Sequence, residues 1–429
     1  VYPVKVDRVD EKGHNVEVAS IAYFDFDGMV DVRVISNKER VNSARVRPLS
    51  YKITPDCVGD TVTFSLSRPR NLSVEVNGDI FHNLHLFANP IDKFRPSDKE
   101  IQRALKKKKG SNLIYFGPGV HNLPNDTLFV PSGTTVYIDG GARVYGNIFT
   151  EGAHDVNIFG RGEVHPDGRG AGVWVRRSKN VRIDGIVVSQ LPIGQCDSVE
   201  LTNVKSISYY GWGDGMDVFS SSNVILDGVF CRNSDDCAAV YASTQGFKGG
   251  SNNVLVKNAT LWADVAHPIN IGGHGDPNGM DTVQNVTFRN IDILDQAEKQ
   301  VDYQGCLAIN PGDNTLVRNI TFENIRIEDF RNGQLVNFRI SFNPKYCVST
   351  GRGIQNVLVK DVTYNGSGEN LSIIAGYDEN HKISGIRFVN LVVNGRKITD
   401  DMPGKPKWYK TGDMAGIFVG EHVENLSFE

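Results

Sequence analysis

A short unit that recurs along most of the chain restricts its fold more than any other feature. The unit reads Asn, aliphatic, any, aliphatic, any, then Asn, Asp or Gly before a second aliphatic stretch, and it occurs at residues 180–186, 223–229, 253–259, 285–291, 319–325, 356–362 and 385–391. Weaker copies lie at residues 155–158 and 198–201, and the step between copies varies from 18 to 37 residues. Each copy predicts two short strands about a tight bend, with Asn or Asp at the corner.

A constant motif at variable spacing is typical of a right-handed parallel β-helix. Each coil of that fold repeats the same strands, and the extra residues leave the coil as loops. A leucine-rich repeat fits poorly because the units lack Leu at that repeat's positions, and a β-propeller needs repeats of about 40 residues with four strands each. We therefore predict an all-β chain whose residues 111–429 form a parallel β-helix catalytic domain.

The first 92 residues carry a different pattern. Short runs alternate apolar and polar residues and are separated by turn signals such as Asp27-Gly28, and these runs lie at residues 4–6, 21–26, 30–34, 62–66 and 72–76. This spacing predicts a small antiparallel β-sandwich over residues 1–92. Residues 93–110 then predict a linker with a short helix, for which Ser97 and Glu100 form a capping box and Gly110 is the C-cap.

Composition excludes several classes of function. The chain has 429 residues and a net charge of −4, so it carries no sign of a general nucleic-acid or membrane-surface binder. No apolar run approaches the about 18 residues of a membrane span. The six cysteines show no CxxC spacing, which argues against a zinc site and leaves them free or partly paired. No nucleotide, flavin or metal motif is visible, so we expect no cofactor.

Four aspartates are the strongest indication of chemistry. Asp214 and Asp217 lie in one acidic motif, Asp235 and Asp236 lie in a second, and Asp214 and Asp235 are 21 residues apart. That distance is close to one repeat, and one coil of a stacked fold returns the chain about 4.8 Å further along. We therefore expect the two motifs to be neighbours on one face, although Asp in a Gly-Asp-Gly stretch is, taken alone, ordinary turn chemistry.

The adjacent pair Asp235-Asp236 fits turn chemistry less well. Two neighbouring carboxylates in a partly buried setting raise each other's pKa, which suits a general acid that stays protonated near neutral pH. Because neighbouring strand residues point to opposite faces, both aspartates can face one site only if the pair lies at a bend.

Histidines and aromatic residues near these motifs are further candidates. His267 falls 31 residues after the second motif, roughly one more coil, and is a candidate for tuning the acid or contacting the substrate. His274 is the rival histidine. Trp212 and Tyr241 lie beside the acidic motifs and are candidates for stacking on sugar rings, whereas Phe219 is expected to fill the core.

At these residues the chain resembles the β-helical polygalacturonases of glycoside hydrolase family 28 and the dextranases of family 49. Residues 212–217 look like the Asn-Thr-Asp-Gly-x-Asp motif of family 28, and residues 234–239 look like its Gly-Asp-Asp-Cys-x-Ala motif. Residues 266–268 resemble a degraded Gly-His-Gly. The resemblance covers residues 111–395, and family 49 also joins an N-terminal β-sandwich to a β-helix.

The resemblance implies an inverting glycoside hydrolase that cleaves a polysaccharide or oligosaccharide. Asp235 would be the general acid, Asp214 and Asp236 would hold and deprotonate the attacking water, and Asp217 would support them. The carboxyl groups of inverting enzymes lie about 6.5–9.5 Å apart, which leaves room for that water. A protein with such a substrate is expected to be secreted, cell-surface or periplasmic, and the absence of an initiator Met fits a removed leader.

One departure from family 28 concerns the substrate. Pectin-cleaving members carry Arg-Ile-Lys on the coil after the histidine, where it binds the galacturonate carboxylate. Here residues 304–311 contain no cation, and the later Arg339-Ile340-Ser341 lacks the Lys. Since a uronate subsite normally has a fixed cation, a dextranase-like hydrolase of a neutral glucan is an alternative.

Two other classes of function remain open at the level of sequence. A polysaccharide lyase on the same scaffold would need a basic residue beside the acids, and Arg232 is the nearest candidate. A non-catalytic glycan-binding β-helix is the second alternative. It is disfavoured because the mutual repulsion of clustered carboxylates destabilises a protein that has no use for them.

Overall fold

The computed structural model describes residues 1–38, 40–106, 110–166, 168–367 and 370–429. The first eight strands are β1 (Tyr2–Asp10), β2 (Gly13–Phe26), β3 (Val30–Ile35), β4 (Ala44–Arg47), β5 (Asp56–Val58), β6 (Thr61–Leu66), β7 (Arg70–Val76) and β8 (Asp79–Pro90). The helices are α1 (Asp98–Leu105) and the short 3-10 turns Leu49–Tyr51, Val301–Tyr303 and Gly412–Ala415.

The N-terminal strands form two sheets that face each other across a small core. One sheet has the order β1-β2-β8-β7-β4 and the other has the order β3-β6-β5. Val62 and Phe64 of the smaller sheet lie in one apolar cluster with Leu72 and Val74 of the larger sheet. This confirms the predicted sandwich, but not its wholly antiparallel character, because β2 and β8 pair in parallel. Strands β3 to β7 lie between β2 and β8 in the sequence, and the chain enters β8 in the same direction as β2.

The short helix begins as the sequence predicts and ends earlier. Ser97 is the N-cap, and its side chain and that of Glu100 form the reciprocal capping box. The C-cap is Lys106 rather than Gly110, because the last turn closes through the Lys106 N–H to the carbonyl of Gln102. The predicted C-cap was therefore wrong, and residues 107–109 of the predicted linker lie outside the described residues.

The remaining strands stack as coils of a single parallel β-helix. In chain order they are β9 to β37, at Leu113–Phe116, Gly119–Phe129, Thr135–Ile138, Ala142–Glu151, His154–Gly160, Glu163–His165, Val173–Arg176, Lys179–Asp184, Val187–Val188, Ile193–Gly194, Asp197–Thr202, Lys205–Ile207, Met216–Phe219, Ser222–Asp227, Phe230–Asn233, Ala238–Tyr241, Ser251–Lys257, Thr260–Ala263, Ile269–Ile271, Thr282–Gln296, Leu307–Ile309, Leu316–Ile327, Val336–Arg339, Gly353–Tyr364, Ser372–Ala375, Ile383–Val393, Arg396–Ile398, Ile417–Val419 and Val423–Phe428. Among the described residues they form one 29-stranded sheet. The predicted parallel β-helix is confirmed.

Asparagines at the corners of the coils explain the repeated motif. Asn223, Asn253, Asn285, Asn319 and Asn356 all have φ of 56° or 57°. Asn tolerates this left-handed conformation better than other residues with a side chain. Successive side chains also bond along the stack, as Asn253 Nδ2 donates to Asn223 Oδ1 at 2.7 Å and Asn319 Nδ2 donates to Asn285 Oδ1 at 3.1 Å. The corners therefore fix both the bend and the register of neighbouring coils.

A buried polar cluster joins the sandwich to the β-helix. Arg232 of the β-helix is fully buried, and its Nε donates to Asp264 Oδ2 at 2.8 Å. Its Nη1 donates to Asn83 Oδ1 at 2.9 Å and lies 3.2 Å from Nε2 of His85, both of which belong to β8. The guanidinium also lies 4.1 Å from the centre of the Trp262 ring. A buried arginine with this many partners holds the two parts of the chain together.

We propose residues 1–92, 93–110 and 111–429 as the sandwich, the linker with its helix, and the β-helix domain. The six cysteines are unpaired in the structure. Among the described residues, the helices are all too short or too polar to span a bilayer.

The buried His85 generates a testable pH dependence. Burial, and then the charge of Arg232, lower the pKa of His85 well below its usual 6.5. The unfolded chain takes up this proton below about pH 6.5 and the folded chain does not, so stability is lost as the pH falls, by at most about 1.4 kcal/mol per pH unit. We expect His85→Gln to reduce the loss of stability between about pH 7.5 and 5.5.

Urea denaturation of the parent and the variant at the two pH values measures this effect. The matched control is His154→Gln, because the His154 side chain is 67% exposed. An identical pH dependence for the parent and His85→Gln would contradict the prediction.

Candidate active site

The two acidic motifs lie on consecutive coils, as expected from their spacing. Strand β21 (Met216–Phe219) and strand β24 (Ala238–Tyr241) pair in parallel, with Met216 opposite Ala238. The Gly215 N–H donates to the carbonyl oxygen of Asp236 at 2.8 Å. Asp214 and Asp236 lie two residues before Met216 and Ala238, respectively, so the ladder brings them side by side.

The two glycines around Asp214 are required by the close approach of the next coil. A Cβ atom at Gly213 would lie 2.2 Å from Ser234 Oγ, and one at Gly215 would lie 2.3 Å from the carbonyl oxygen of Cys237. Both distances are shorter than a van der Waals contact. Any larger residue would push the segment that carries Asp214 away from the segment that carries Asp235.

Asp235 and Asp236 lie at a bend between strand β23 (Phe230–Asn233) and strand β24. The bend lets both side chains face the same site as Asp214, and one carboxylate oxygen of each of the three lies within 4.8 Å of the others. The nearest oxygens are thus closer than the expected separation of about 6.5–9.5 Å between carboxyl groups. The oxygens are also spaced as cation ligands could be, but those of Asp236 already accept hydrogen bonds.

Asp236 is held by donors on both of its oxygens. Oδ1 accepts from the backbone N–H of His267 at 3.1 Å and lies 2.7 Å from His267 Nδ1. Oδ2 accepts from the hydroxyl of Tyr241 at 2.5 Å and from Asn270 Nδ2 at 2.8 Å. A carboxylate offers about four acceptor positions, so these contacts occupy them all. Asp236 is 1% exposed, which leaves little of its surface for a ligand.

The environment separates the protonation states of the aspartates. Burial alone would raise the pKa of Asp236, but the electrostatic attraction of His267 and the hydrogen bonds from His267, Tyr241 and Asn270 outweigh it, and the pKa is lowered. For Asp235, burial and then the charges of Asp214 and Asp236 raise the pKa well above its usual range. For Asp214, burial and then the charges of Asp217 and Asp236 do the same. The ionised form is therefore favoured for Asp236, and the protonated form is favoured for Asp214 and Asp235.

Asp217 lies beneath the cluster rather than at its surface. It is 4% exposed, and its Oδ1 has no hydrogen-bond partner. Burial, followed by the charges of Asp236 and Asp235, raises its pKa well above the usual range. Asp214 and Asp235, by contrast, keep part of their surface open to solvent. Only these two are placed to touch a substrate directly.

The structure separates the other predicted site residues. Trp212 lies at the rim, 77% exposed, which fits a platform for a sugar ring. Tyr241 is buried and bonds Asp236, so it supports the cluster rather than offering its face. His267 is fully buried against Asp236, whereas His274 packs edge-on against the ring of Tyr241 at 5.0 Å. Phe219 is buried, as expected, and stacks on Tyr241.

Two residues of the site were missed by sequence reasoning. Asn270 bonds both Asp236 and the hydroxyl of Tyr241. Its signal was available, because a polar residue between Ile269 and Ile271 in a strand must point away from the core. Tyr303 lies in the 3-10 turn Val301–Tyr303, with its ring 4.3 Å from that of His267. It belongs to an insertion between two repeats, where the sequence gives no pattern.

The coil after His267 has no cation at the site, as its sequence indicates. Ala308 lies opposite Asn270 in the ladder, and Asn310 follows on the same strand face. On the next coil, Arg339 follows the strand residues that pair with Ala308 and Ile309. The backbone carbonyl oxygen of Arg339 accepts from Asn310 Nδ2 at 3.2 Å. Arg339 Nη2 donates to the carbonyl oxygen of Asp302 at 2.8 Å, and its Nε is buried without a partner.

Comparison with known proteins places this site in a family. The sequence model described as Glycosyl hydrolases family 28 matches residues 173–402, which is more than half of the chain and includes every aspartate of the cluster. A polygalacturonase from Juniperus ashei is 26% identical over 295 residues, covering 61% of this chain and 54% of that protein. An exopolygalacturonase from Cochliobolus carbonum is 24% identical over 246 residues, covering 49% of this chain and 52% of that protein. The chain spans about half the length of these relatives.

Solved structures share the fold. Dex49A from Penicillium minioluteum matches with a TM-score of 0.60 and 15% identity, covering 89% of this chain and 79% of that one. A family 28 exopolygalacturonase from Yersinia enterocolitica matches with a TM-score of 0.54 and 12% identity, covering 94% of this chain and 97% of that one.

The raised pKa of Asp235 predicts that its ionisation destabilises the fold. A raised pKa contributes stability at low pH that is lost as the pH rises from about 3.9 to the folded-state pKa, at up to about 1.4 kcal/mol per pH unit. Partial solvation of Asp235 reduces this figure. We expect Asp235→Asn to be more stable than the parent near neutral pH, by a margin that narrows in acid.

Chemical denaturation at about pH 7.5 and about pH 5 checks this prediction. Asp56→Asn is the control, because Asp56 is exposed on the sandwich. A variant that is less stable than the parent at both pH values would show that ionisation of Asp235 does not destabilise the folded protein.

Proposed function

This chain belongs to family 28 of the glycosyl hydrolases, and we propose that it hydrolyses glycosidic bonds of a polysaccharide, with inversion at the anomeric carbon. The observation that carries the proposal is the cluster of Asp214, Asp235 and Asp236, whose nearest carboxylate oxygens lie within 4.8 Å of one another. Within this cluster the pKa of Asp235 is raised and that of Asp236 is lowered. Glycosidic cleavage needs this combination of a carboxylic acid and a carboxylate. A protein that only binds glycans has no use for it.

Asp235 is the proposed general acid. Its raised pKa favours the protonated carboxyl group, and its side chain is partly exposed to a substrate. Donating that proton to the glycosidic oxygen turns the leaving sugar into a neutral alcohol. The loss of the proton is then resisted by Asp214 and Asp236, which favours its return once the product leaves.

Asp214 and Asp236 are proposed to act on the attacking water together. Asp236 supplies the fixed negative charge, because four hydrogen bonds keep it ionised and immobile. Asp214 lies next to it and is partly exposed, so it is placed to orient the water. It takes the water's proton in those molecules in which Asp214 is ionised and Asp235 is protonated. His267 acts through Asp236 by its hydrogen bonds. Asp217 lies beneath the cluster and contributes to the raised pKa of Asp214.

Inversion is favoured by the burial of Asp236 and by the hydrogen bonds that both of its carboxylate oxygens accept. A retaining enzyme needs a carboxylate that bonds the anomeric carbon. Asp236 is buried and both of its oxygens are engaged by hydrogen bonds, so it is poorly placed for covalent attack on the anomeric carbon. Water is therefore the proposed nucleophile.

A galacturonan is the first candidate substrate, because relatives of this chain are named polygalacturonases. A neutral glucan is the second. It is favoured by one observation, namely that Ala308 and Asn310, rather than cations, occupy the outward positions of the coil after His267. We propose further that the protein works outside the cytoplasm, where such polymers occur.

Incubation with polygalacturonate, rhamnogalacturonan, dextran and neutral plant glycans tests the activity. We expect one of them to yield new reducing ends, and Asp235→Asn to reduce the rate by a factor of about 10²–10⁴, the usual contribution of a general acid. Asp56→Asn is the control and should retain the parent rate. Binding of a glycan by both proteins without any cleavage would replace the hydrolase by a binding protein.

The stereochemistry is a separate prediction. We expect the first product formed from an α-linked glycan to be the β-anomer, because water attacks from the face opposite the leaving group. Proton NMR of a reaction followed before mutarotation distinguishes the anomers. Initial release of the α-anomer would require a covalent intermediate and would contradict the assigned roles of Asp214 and Asp236.

A further inference from the structure

On the face of the β-helix that carries the aspartates, one row of outward-pointing side chains is buried. In an open substrate groove such a row would be exposed to solvent. Asp217, Ala239, Asn270, Ala308 and Asn337 lie opposite one another on successive coils and point away from the core. The last four are at most 2% exposed. Further along the same row, Phe418 is 57% exposed. The row is therefore covered next to the acidic cluster and open again beyond it.

The first part of the cover is formed by residues 298–304. The carbonyl oxygen of Gln304 accepts from Asn337 Nδ2 at 2.7 Å, which fastens this loop onto the row. The ring of Tyr303 lies edge-on over His267, with the ring centres 4.3 Å apart. Because His267 bonds Asp236, the loop begins immediately beside the acidic cluster.

The second part is formed by residues 341–347, and the two loops together are here called the two-loop wall. Tyr346 stacks on Tyr303 with the ring centres 4.9 Å apart. Lys345 Nζ donates to Gln300 Oε1 at 2.9 Å. Cys347 Sγ contacts the carbonyl oxygen of Gly273 at 3.3 Å, which ties this loop back to the coil of His267. The wall is thus fastened to itself and to the β-helix.

The space left inside the wall is too small for a sugar ring. A cavity of about 50 Å³ lies between Tyr241, His274, Tyr303 and Tyr346. A cavity of about 150 Å³ holds a benzene ring, and a pyranose with its hydroxyl groups is larger than benzene. In the described part of the chain, the wall therefore closes the groove on this side of the aspartates.

The other side of the cluster is open. Trp212 stands 77% exposed at the rim, and Asp214 and Asp235 are partly exposed. A glycan can therefore reach the acids from the Trp212 side but cannot continue past Tyr303. Tyr303 covers the residue one coil from Asp236, and one coil step is about 4.8 Å. This is comparable with the length of a single sugar residue.

From this geometry we propose that the two-loop wall makes the protein exo-acting. It admits one end of a polysaccharide and releases the terminal sugar as a monosaccharide. Cleavage within a chain would need a path for the polymer on both sides of Asp235. The inference rests on the hydrolase activity proposed above and adds the mode of cleavage and the residues that determine it.

The product pattern on a responding glycan tests the inference. With the full chain, we expect a monosaccharide from the earliest time points, while the viscosity of the polymer falls slowly. A ladder of oligosaccharides with an early fall in viscosity would overturn the inference and leave the hydrolase activity in place. No release from any glycan would overturn the proposed function and this inference together, so the two failures are distinguishable.

Variants of the wall test its role directly. Lys345→Ala combined with Tyr346→Ala removes the bond to Gln300 and the ring that stacks on Tyr303, and it leaves the aspartates and Tyr303 themselves unchanged. We expect this variant to release longer oligosaccharides and, at equal numbers of new reducing ends, to lower the viscosity several-fold more than the parent. Trp408→Ala is the control, since Trp408 is an aromatic residue 83% exposed in the C-terminal segment. An unchanged monosaccharide pattern in the double variant would show that the wall does not set the mode of cleavage.

Discussion

The parallel ladder between neighbouring coils is the constraint on which the rest of this structure depends. It places residues from different parts of the chain at a spacing of about 4.8 Å whenever their registers match. Met216 pairs with Ala238, and Ala238 pairs with Ile269. The segments just before these residues carry Asp214, the Asp235-Asp236 pair and His267, so the ladder assembles the site. The corner asparagines protect this arrangement, because their left-handed backbone and their bonds along the stack resist a slip of register.

The same ladder forces like charges together, and the local structure divides them into two kinds. Asp236 receives donors from His267, Tyr241 and Asn270, and these stabilise its anion against burial. For Asp235, burial and then the charges of Asp214 and Asp236 raise the pKa, so its protonated form is favoured. Neither state can be read from the aspartates alone. The difference arises from the next coil, which presents His267 and Asn270 to one carboxylate and not to the other.

The sequence predicts the features that its repeat sets, and it does not predict those that tertiary contacts set. The coils, the corners and the pairing of the acidic motifs were predictable, because the repeat fixes both the strands and the distance between equivalent positions. Asn270 was predictable in principle from the alternation around it. Tyr303 and Tyr346 were not, because they lie in insertions whose conformation is set by tertiary contacts such as the bond from Lys345 to Gln300. The parallel pairing of β2 with β8 was missed for a related reason. The alternation of apolar and polar residues predicts strands, but it does not predict which strands are neighbours in a sheet.

Strand β23 (Phe230–Asn233) connects the sandwich with the site. Arg232 of strand β23 is held by Asn83 and His85 of the sandwich, three residues before Asp235. Its neighbour Asn233 donates to the carbonyl oxygen of Asp214 at 3.2 Å, so the same strand also fixes the first acidic motif. A movement of the sandwich would take Asn83 and His85 away from Arg232 and leave a buried N–H group of its guanidinium without a partner, which is unfavourable. The sandwich is therefore part of the framework that positions the carboxylates, and the bend that carries Asp235 and Asp236 begins from a strand that both parts of the protein hold in place.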